Sequence, residues 1–407
     1  MSGCSFASSL LLADFWPVVY HNWALISILL TILLLIFVPV LIVAKYVRIC
    51  LNIIRDTEPP LSMSQLGFDH VQGEEVDFWT LDGIRLAGVF LHPPQDGPKR
   101  GLILFAPEFK STRLSCARYC RPLIDAGYDV FSFDFRGHGR AAAEKGYTPR
   151  QWTSDRELAD MTGAIAFVED WLEQQGRPIK IGLFGISRGA CAGILAAAQA
   201  ASIKAIVTDG AFSSDCTLEH LMKRWAKIFA KVRFVYENHP PEFWRFLRWC
   251  LFLTCRVKLK CRFPSVRKAL TQMVPRPMLF IHGERDSYIP VEQSQLLYAL
   301  SAQPKYLWVV PGAKHNQCVA VEPAAYAERT VQFFDRYLAG TQDDDNMYNE
   351  SHFAELLCGE LAYSMRTTAV LGYRGAFGGT AIPSRPSRRK ATPAKTIVRA
   401  GSARSDA

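Results

Sequence analysis

The chain has 407 residues, of which 49% are hydrophobic and 21% charged, and its formal net charge is +9. This composition excludes a disordered polymer, a collagen and a small disulfide-stabilised protein, and the length allows one large domain with additions or two ordinary ones. Eleven cysteines, odd in number and without a framework spacing, indicate reduced thiols and a reducing compartment.

The first element is an apolar run from Ala24 to Ala44. About 20 such residues cross the hydrocarbon core of a bilayer, so we predict a transmembrane helix at 23–46 after an extracytoplasmic leader at 1–22. A cleaved signal peptide is disfavoured because residues 1–22 contain no Lys or Arg and the apolar run is too long. Basic residues follow the span and none precedes it, which predicts a single-pass protein with its main body on the cytoplasmic side. They are Lys45, Arg48 and Arg55.

After a predicted linker at 47–75, the pattern becomes that of an α/β protein. Two alternating strands around Asp82-Gly83 predict a hairpin over 76–93. Apolar runs typical of buried parallel strands follow, separated by helical stretches. The predicted strands are 101–106, 128–134, 179–184, 203–209, 277–282 and 305–310, and the predicted helices lie near 112–126, 155–175, 188–201, 291–303 and 321–339. We predict a mostly parallel central sheet with helices on both faces, whose strands carry the chemistry at their carboxyl ends.

The third of these parallel strands is followed by Gly185-Ile186-Ser187-Arg188-Gly189. A Gly-x-Ser-x-Gly sequence between a strand and a helix forms a sharp turn that exposes the serine hydroxyl. A glycine-rich turn whose serine has no catalytic role would show the same sequence pattern. Asp286 and His315 follow two later strands, so His315 is predicted to accept the proton of Ser187 and Asp286 to orient the imidazole. Asp209, at another strand end, is the competing acid; Asp286 is favoured because the Ile-Pro after it turns the chain toward the strand that carries the histidine.

On these residues, segment 76–340 resembles an α/β-hydrolase of the serine-aminopeptidase-like group, which includes monoacylglycerol-lipase-type and membrane-anchored depalmitoylase-type enzymes. The matching positions are Asp134 to Gly139, Gly185 to Gly189, His282 to Asp286, and His315. The resemblance implies the α/β-hydrolase fold and the catalytic residues Ser187, Asp286 and His315. The stretch Asp134 to Arg140 is interpreted as a structural turn.

One departure concerns the oxyanion hole. Family members usually carry His-Gly in the turn before the first helix of the sheet domain, where this chain has Ala106-Pro107-Glu108-Phe109. Proline has no N–H, so the predicted donors are the backbone amides of Arg188 and of Glu108 or Phe109. Loss of one donor costs about 100- to 1,000-fold in turnover, so badly aimed amides would leave a weak catalyst. The Glu108 carboxylate is also expected to disfavour a negatively charged acyl group close by, or else simply to face solvent.

A helical cap is predicted as an insertion at about 213–272. Residues 220–268 hold thirteen Lys/Arg against two Glu, a net charge of +11. The segment 218–236 has an amphipathic helical pattern whose apolar positions include Leu218, Met222, Trp225 and Ile228, and 243–253 is rich in aromatic residues. Two interpretations remain open: a surface facing anionic lipid, or an ordinary cap whose apolar face covers the active site. Nucleic-acid binding is disfavoured because no recognition module accompanies the charge.

The tail at 341–407 is predicted to be mostly disordered after a short helix at 350–363. From Arg374 it has eight basic residues and one acid, so the charge outside the cap and tail sums to −9. The two basic regions therefore sit on an acidic body, which favours contact with an anionic leaflet. No metal or cofactor site is predicted, because the cap cysteines are spaced too irregularly for a zinc site and no phosphate-cradling loop occurs.

Together these features predict a membrane-anchored serine hydrolase that cleaves an ester or thioester of a lipophilic acyl group through an acyl-enzyme. A serine peptidase or an acyltransferase on the same fold is the alternative within the enzyme class. A catalytically weak pseudo-hydrolase that serves as a membrane-tethered binding scaffold is the alternative of another class, and the missing His-Gly turn is its main support.

Overall fold

The computed structural model describes residues 6–56, 72–94, 99–229, 239–340 and 347–358. Eight strands form one sheet in the order β1-β2-β4-β3-β5-β6-β7-β8. The strands are β1 (Glu74–Trp79), β2 (Arg85–Leu91), β3 (Gly101–Ala106), β4 (Tyr128–Phe133), β5 (Ile181–Ile186), β6 (Ile203–Asp209), β7 (Met278–Gly283) and β8 (Lys305–Val310). The β1–β2 and β2–β4 pairs are antiparallel and all the other pairs are parallel, which confirms the predicted sheet.

The described helices are α1 (Phe6–Asp56), α2 (Cys116–Asp125), α3 (Asp155–Gln174), α4 (Arg188–Ala197), α5 (Ser214–Phe229), α6 (Pro241–Lys258), α7 (Val266–Gln272), α8 (Glu292–Leu300), α9 (Cys318–Val321), α10 (Pro323–Phe334) and α11 (Met347–Cys358). A 3-10 turn at Arg113–Ser115 precedes α2, and a π-helical turn at Asp335–Ala339 follows α10. Helices α5, α6 and α7 lie between β6 and β7, where the cap insertion was predicted.

Both faces of the sheet are buried. Along β3, Leu102 and Leu104 belong to one hydrophobic cluster, whereas Ile103 and Phe105 belong to another. Successive strand side chains point to opposite faces, so the two clusters are the layers between the sheet and the helices on either side. This explains why the parallel strands read as continuous apolar runs in the sequence.

The turn after β4 is held by buried ion pairs. Arg136 is fully buried, and its guanidinium contacts Asp160 at 2.6 Å, Asp82 at 2.9 Å and Glu144 at 2.5 Å. A buried charge is stable only when it is paired and hydrogen-bonded. Its neighbour Asp134 accepts hydrogen bonds from the backbone amide and the guanidinium of Arg113. These contacts fit the predicted structural role of the stretch Asp134 to Arg140.

Helix α1 continues to Asp56, although a linker was expected from residue 47. Val47, Cys50 and Ile54 are buried and belong to the same hydrophobic cluster as Trp244 and Leu247 of α6. Apolar packing against the cap therefore keeps this segment helical, a tertiary contact that local sequence does not reveal. Residues 57–71 of the expected linker and the first five residues of the chain lie outside the described residues, and the last two linker residues, Glu74 and Glu75, already belong to β1.

The apolar stripe of α5 faces the core of the protein. Leu218 and Met222 are buried, and Leu221 and Trp225 pack against the core cluster, whereas Ile228 is 68% exposed. The remainder of the predicted amphipathic stretch, 230–238, lies outside the described residues, as does the basic tail from residue 359. The short C-terminal helix is observed at Met347–Cys358, with Phe353 and Leu357 buried in the cluster that includes Tyr306 of β8.

Candidate active site

Ser187 occupies the turn between β5 and α4 with φ 51° and ψ −114°. Such positive-φ conformations are costly for a residue with a side chain and persist only where the surroundings impose them. A Cβ atom on Gly185 would lie 2.5 Å from Ala190 Cα, and one on Gly189 would lie 2.2 Å from the Ala106 carbonyl oxygen. The two flanking glycines are therefore required for the close approach that forms this turn.

Ser187, His315 and Asp286 are joined by hydrogen bonds. The Oγ of Ser187 lies 2.9 Å from Nε2 of His315, and Nδ1 of His315 lies 2.5 Å from Oδ2 of Asp286. Asp286 is in the loop after β7, and His315 is in the loop after β8. Adjacent parallel strands end at the same edge of the sheet, so residues 128 and 29 positions apart in sequence meet there.

Asp286 is held as a carboxylate that accepts several hydrogen bonds. Its Oδ1 accepts the backbone amides of Tyr288 at 2.9 Å and Ile289 at 2.8 Å. Burial by itself raises the pKa of Asp286, but hydrogen bonds from His282 and His315 outweigh it and hold the pKa well below its ordinary value. An ionised Asp286 keeps a proton on Nδ1 of His315, which leaves Nε2 free to accept the hydroxyl proton of Ser187.

Asp209, the competing acid, has other partners. Its Oδ2 accepts a hydrogen bond from the hydroxyl of Tyr326 at 3.1 Å, and its backbone carbonyl accepts the amide of Ser187 at 2.7 Å. Burial raises the pKa of Asp209 to about 6. Of the two acids, Asp286 is the one hydrogen-bonded to His315, in agreement with the preference drawn from the sequence.

The turn after β3 lies against the serine turn. Gly189 is close to the carbonyl oxygens of both Ala106 and Pro107, which brings the amides of Glu108 and Phe109 next to the start of α4. Within the described residues, the backbone amides of Arg188 and Phe109 donate to no carbonyl oxygen. The amide of Arg188 and that of Phe109, one of the two alternatives for the second donor, are thus not occupied by a backbone carbonyl oxygen.

The Glu108 side chain does not face solvent. It is 1% exposed, and neither carboxyl oxygen has a hydrogen-bond partner among the described residues. Burial raises the pKa of Glu108, because the charged form loses its hydration and gains no ion pair at hydrogen-bond distance. The expected effect of Glu108 on a negatively charged acyl group stays a prediction.

The side chain of Arg188 makes structural contacts that are separate from the expected role of its backbone amide. The guanidinium is buried between the rings of Phe109 and Phe135, at 4.8 and 5.1 Å from their centroids. It also donates to the carbonyl oxygen of Arg150 at 2.9 Å. These contacts link the serine turn to the turn that carries Phe109, and both turns hold expected oxyanion donors.

A match to known proteins assigns the fold. A family model described as the alpha/beta hydrolase family matches residues 89–329. The chain belongs to this family. The matched part of this alpha/beta hydrolase includes the serine turn and the loops that carry Asp286 and His315.

Relatives of this hydrolase occur in bacteria. It is 26% identical over 274 residues to the uncharacterized protein YfhR of Escherichia coli strain K12, an alignment that covers 66% of this chain and 82% of YfhR. It is 25% identical over 232 residues to the uncharacterized protein YqkD of Bacillus subtilis strain 168, covering 56% of this chain and 69% of YqkD.

Solved structures similar to this hydrolase include the Pyrococcus furiosus esterase Pf2001. That match has a TM-score of 0.49 and 23% identity, and it covers 69% of this chain and 97% of the esterase chain. The esterase domain of a Rhodothermus marinus protein matches with a TM-score of 0.44 and 22% identity, covering 66% of this chain and all of that domain.

His282 is a second histidine that contacts Asp286, and no role was predicted for it from the sequence. It is fully buried, with Nε2 at 2.9 Å from the Ile289 carbonyl oxygen and 3.4 Å from Oδ2 of Asp286. Its Nδ1 lies 2.7 Å from Oγ of Ser294, whose hydroxyl proton is directed at the Ala211 carbonyl oxygen. Both ring nitrogens therefore face acceptors, and the hydrogen bond to Asp286 contributes to a raised pKa of His282. Its position at the end of β7 was the available sequence signal.

Gly189→Ala is expected to lower turnover by about 100- to 1,000-fold, the effect of losing one oxyanion donor. The added Cβ would collide with the Ala106 and Pro107 carbonyl oxygens and push the Phe109 turn away from the serine turn. Steady-state hydrolysis of a nitrophenyl ester measures the loss. Gly193→Ala, one turn further along α4, is the control, because its Cβ meets only the side chain of Leu183. Equal losses in both variants would contradict the explanation.

Asp209→Asn is expected to change how stability depends on pH. The folded-state pKa of about 6 exceeds the ordinary 3.8, so the stability that Asp209 contributes is complete below pH 3.8 and is lost as pH rises through about 6. The free energy of unfolding falls by about 3 kcal/mol over this pH range because of Asp209. Asparagine stays neutral, so the variant does not show this fall. Urea unfolding at pH values from 4 to 8 measures the difference between variant and wild type.

The control for Asp209→Asn is Asp125→Asn, which changes an exposed carboxylate at the end of α2. Its stability difference from wild type should stay nearly constant over the same pH range. A pH-independent difference for Asp209→Asn would show that Asp209 does not bind a proton more tightly in the folded state.

Proposed function

We propose that this protein is a membrane-anchored serine hydrolase that cleaves an ester or thioester of a lipophilic acyl group. The observation that carries the proposal is the continuous hydrogen-bonded chain from Ser187 through His315 to Asp286. A nucleophile bonded to a base, itself oriented by a buried acid, is the arrangement that activates a serine hydroxyl.

In the proposed reaction, Oγ of Ser187 forms a bond to the substrate carbonyl carbon while Nε2 of His315 accepts the hydroxyl proton. The carbonyl oxygen becomes an oxyanion that the amides of Arg188 and Phe109 stabilise. The carbon–oxygen or carbon–sulfur bond then breaks, and His315 returns the proton to the departing alcohol or thiol. Water, deprotonated by His315, attacks the acyl-enzyme, and the acid leaves as Ser187 regains its proton.

Membrane anchorage is proposed for α1. Within the helical segment Asn22–Arg55, the most apolar stretch of 18 residues has a mean hydropathy of 3.2 and is not buried by other parts of the protein. An exposed apolar surface of this length is costly in water and matches the thickness of a bilayer. Lys45, Arg48 and Arg55 follow the span, which supports an orientation with the hydrolase domain on the cytoplasmic side.

A series of nitrophenyl esters of increasing acyl length tests the substrate class. We expect kcat/KM to rise from acetyl to medium-chain esters, because each additional buried methylene contributes about 0.8 kcal/mol. The measurement uses the full chain in detergent micelles, with acyl thioesters and peptide anilides assayed in parallel. A preference for peptide anilides would replace the proposal by a peptidase, and transfer of the acyl group to an added alcohol at the expense of hydrolysis would replace it by an acyltransferase.

If the protein were a binding scaffold and not an enzyme, Ser187 would be unreactive. A fluorophosphonate probe should label the folded protein at Ser187, because phosphonylation needs the same activated hydroxyl and oxyanion donors. Absence of labelling in folded protein, together with absence of turnover on every ester, would favour the scaffold.

A further inference from the structure

The cap helix α6 exposes an apolar face to solvent. Phe246, Trp249, Leu253 and Val257 are between 48% and 67% exposed, and the rings of Phe246 and Trp249 stack with centroids 6.1 Å apart. The residues that α6 buries are Trp244, Leu247, Leu251 and Cys255. At 3.6 residues per turn the two sets lie on opposite sides of the helix. The outer face is therefore a second apolar stripe that the described part of the protein does not cover.

This face adjoins the membrane-spanning part of α1. A groove between the two helices is lined on one side by Pro39, Val40 and Val43, which belong to the predicted span, and on the other by Phe246 and Cys250. If α1 crosses a bilayer, residues that share a groove with the end of its apolar span lie at the depth of the lipid. The outer stripe of α6 then meets acyl chains and not water, and its aromatic rings suit the membrane interface.

The same groove carries positive charge at its other end. Arg48 and Lys258 line it and are exposed, and neither forms an ion pair with any residue in the part of the chain that the structure describes. Basic side chains that follow a membrane span lie at the level of the lipid phosphates. The groove thus combines an apolar wall at acyl-chain depth with basic side chains at phosphate depth, since Arg55 lines it together with Arg48 and Lys258.

We infer that the groove between α1 and α6 binds an anionic phospholipid, with the phosphate at Arg48 and Lys258 and the acyl chains against Val40, Val43 and Phe246. The outer stripe of α6 is embedded in the same leaflet. This inference rests on the proposed membrane anchorage of α1, but not on the proposed hydrolysis. Of the two interpretations of the basic cap, it assigns the lipid-facing surface to α6, since the apolar stripe of α5 packs on the core.

Native mass spectrometry of the full chain tests the lipid site. From micelles that contain equal amounts of phosphatidylcholine and phosphatidylglycerol, the wild type should retain phosphatidylglycerol in about 30-fold preference, as expected for two cations near the headgroups. Arg48→Gln with Lys258→Gln should lose the preference. The charge-preserving pair Arg48→Lys with Lys258→Arg should keep it, as should Lys145→Gln with Lys180→Gln, which neutralises two exposed lysines outside the groove.

Three outcomes would overturn the inference. The wild type could retain the two lipids equally, the Gln pair at 48 and 258 could keep the preference, or the Lys145 and Lys180 pair could lose it. A second copy of the chain is the other possible occupant of this face. If Phe246→Ser with Trp249→Ser dissociated a dimer and left lipid retention unchanged, the face would be a contact between copies.

Fluorophosphonate labelling is measured separately. An unlabelled Ser187 with an intact lipid preference would therefore refute the proposed hydrolase activity and leave the lipid site unaffected.

A separate fluorescence measurement tests whether α6 is embedded in the membrane. In vesicles of phosphatidylcholine and phosphatidylglycerol with brominated acyl chains, part of the tryptophan fluorescence should be quenched, and Trp249→Phe should reduce the quenched part. Trp79→Phe is the matched control, because Trp79 is 63% exposed on β1 and Trp249 is 60% exposed on α6. An unchanged quenched part in Trp249→Phe would contradict the embedding.

Discussion

Ser187→Ala is expected to lower kcat for nitrophenyl ester hydrolysis by about 10⁶-fold, the size of the effect of removing the nucleophile from a serine triad. Alanine cannot form the acyl-enzyme, so only oxyanion stabilisation and substrate binding remain. The turn itself should survive, because its shape depends on Gly185, Gly189 and the bond from the residue 187 amide to the Asp209 carbonyl oxygen, none of which involves the hydroxyl. Progress curves and fluorophosphonate labelling of the same preparation measure the loss.

Ser202→Ala is the matched control for Ser187→Ala. Ser202 is also buried and lies directly before β6, at the opposite end of the sheet from the candidate site. Its hydroxyl has no hydrogen-bond partner among the described residues, so the variant should keep both turnover and labelling. Retention of most of the esterase activity by Ser187→Ala would show that another residue is the nucleophile and would refute the proposed mechanism.

Asp286→Asn is expected to lower kcat by about 10⁴-fold with little change in KM, as the corresponding change does in a serine protease triad. The amide can present its NH₂ to Nδ1 of His315, which shifts the ring proton to Nε2 and removes the acceptor for the Ser187 hydroxyl. The stability cost is greatest above pH 3.8, because the pKa of Asp286 is depressed in the folded state and its contribution is lost only as pH falls below that value.

Asp209→Asn distinguishes the two acids at neutral pH. Asp209 is hydrogen-bonded to Tyr326 and not to His315, so this variant should keep more than about a tenth of the wild-type kcat. If Asp209→Asn were the inactive variant and Asp286→Asn the active one, the assignment of the acid would be wrong. Comparable losses in both would point to a shared structural effect, which thermal unfolding of the two variants would reveal.

The sheet and the order of Ser187, Asp286 and His315 could be predicted because they depend on local patterns. Apolar runs of six or seven residues identify buried strands, and the glycines at 185 and 189 identify a sharp turn. Parallel strands bring their carboxyl ends to one edge, so residues after β5, β7 and β8 had to lie near one another. The hairpin at Asp82-Gly83 was equally local, and Gly83 has the φ of 78° that such a turn requires.

Three features could not be predicted because they depend on contacts between distant segments. Helix α1 extends to Asp56 only because its last turns pack on the cap. Glu108 is buried because the turn after β3 packs against α4, and its carboxyl oxygens have no hydrogen-bond partner among the described residues. His282 faces Asp286 because the loop after β7 folds back over the strand end that carries the histidine.

The sheet, the candidate nucleophile and base, and an apolar segment long enough to span a bilayer follow from local patterns, because each is a repeating or short-range pattern along one stretch of chain. The acid that contacts His315, the amides that are free beside Ser187, and the cap helix that presents an apolar face beside α1 are known only from the folded structure. Those outcomes depend on distances of a few ångströms between segments far apart in sequence, and periodicity along the chain does not encode such distances.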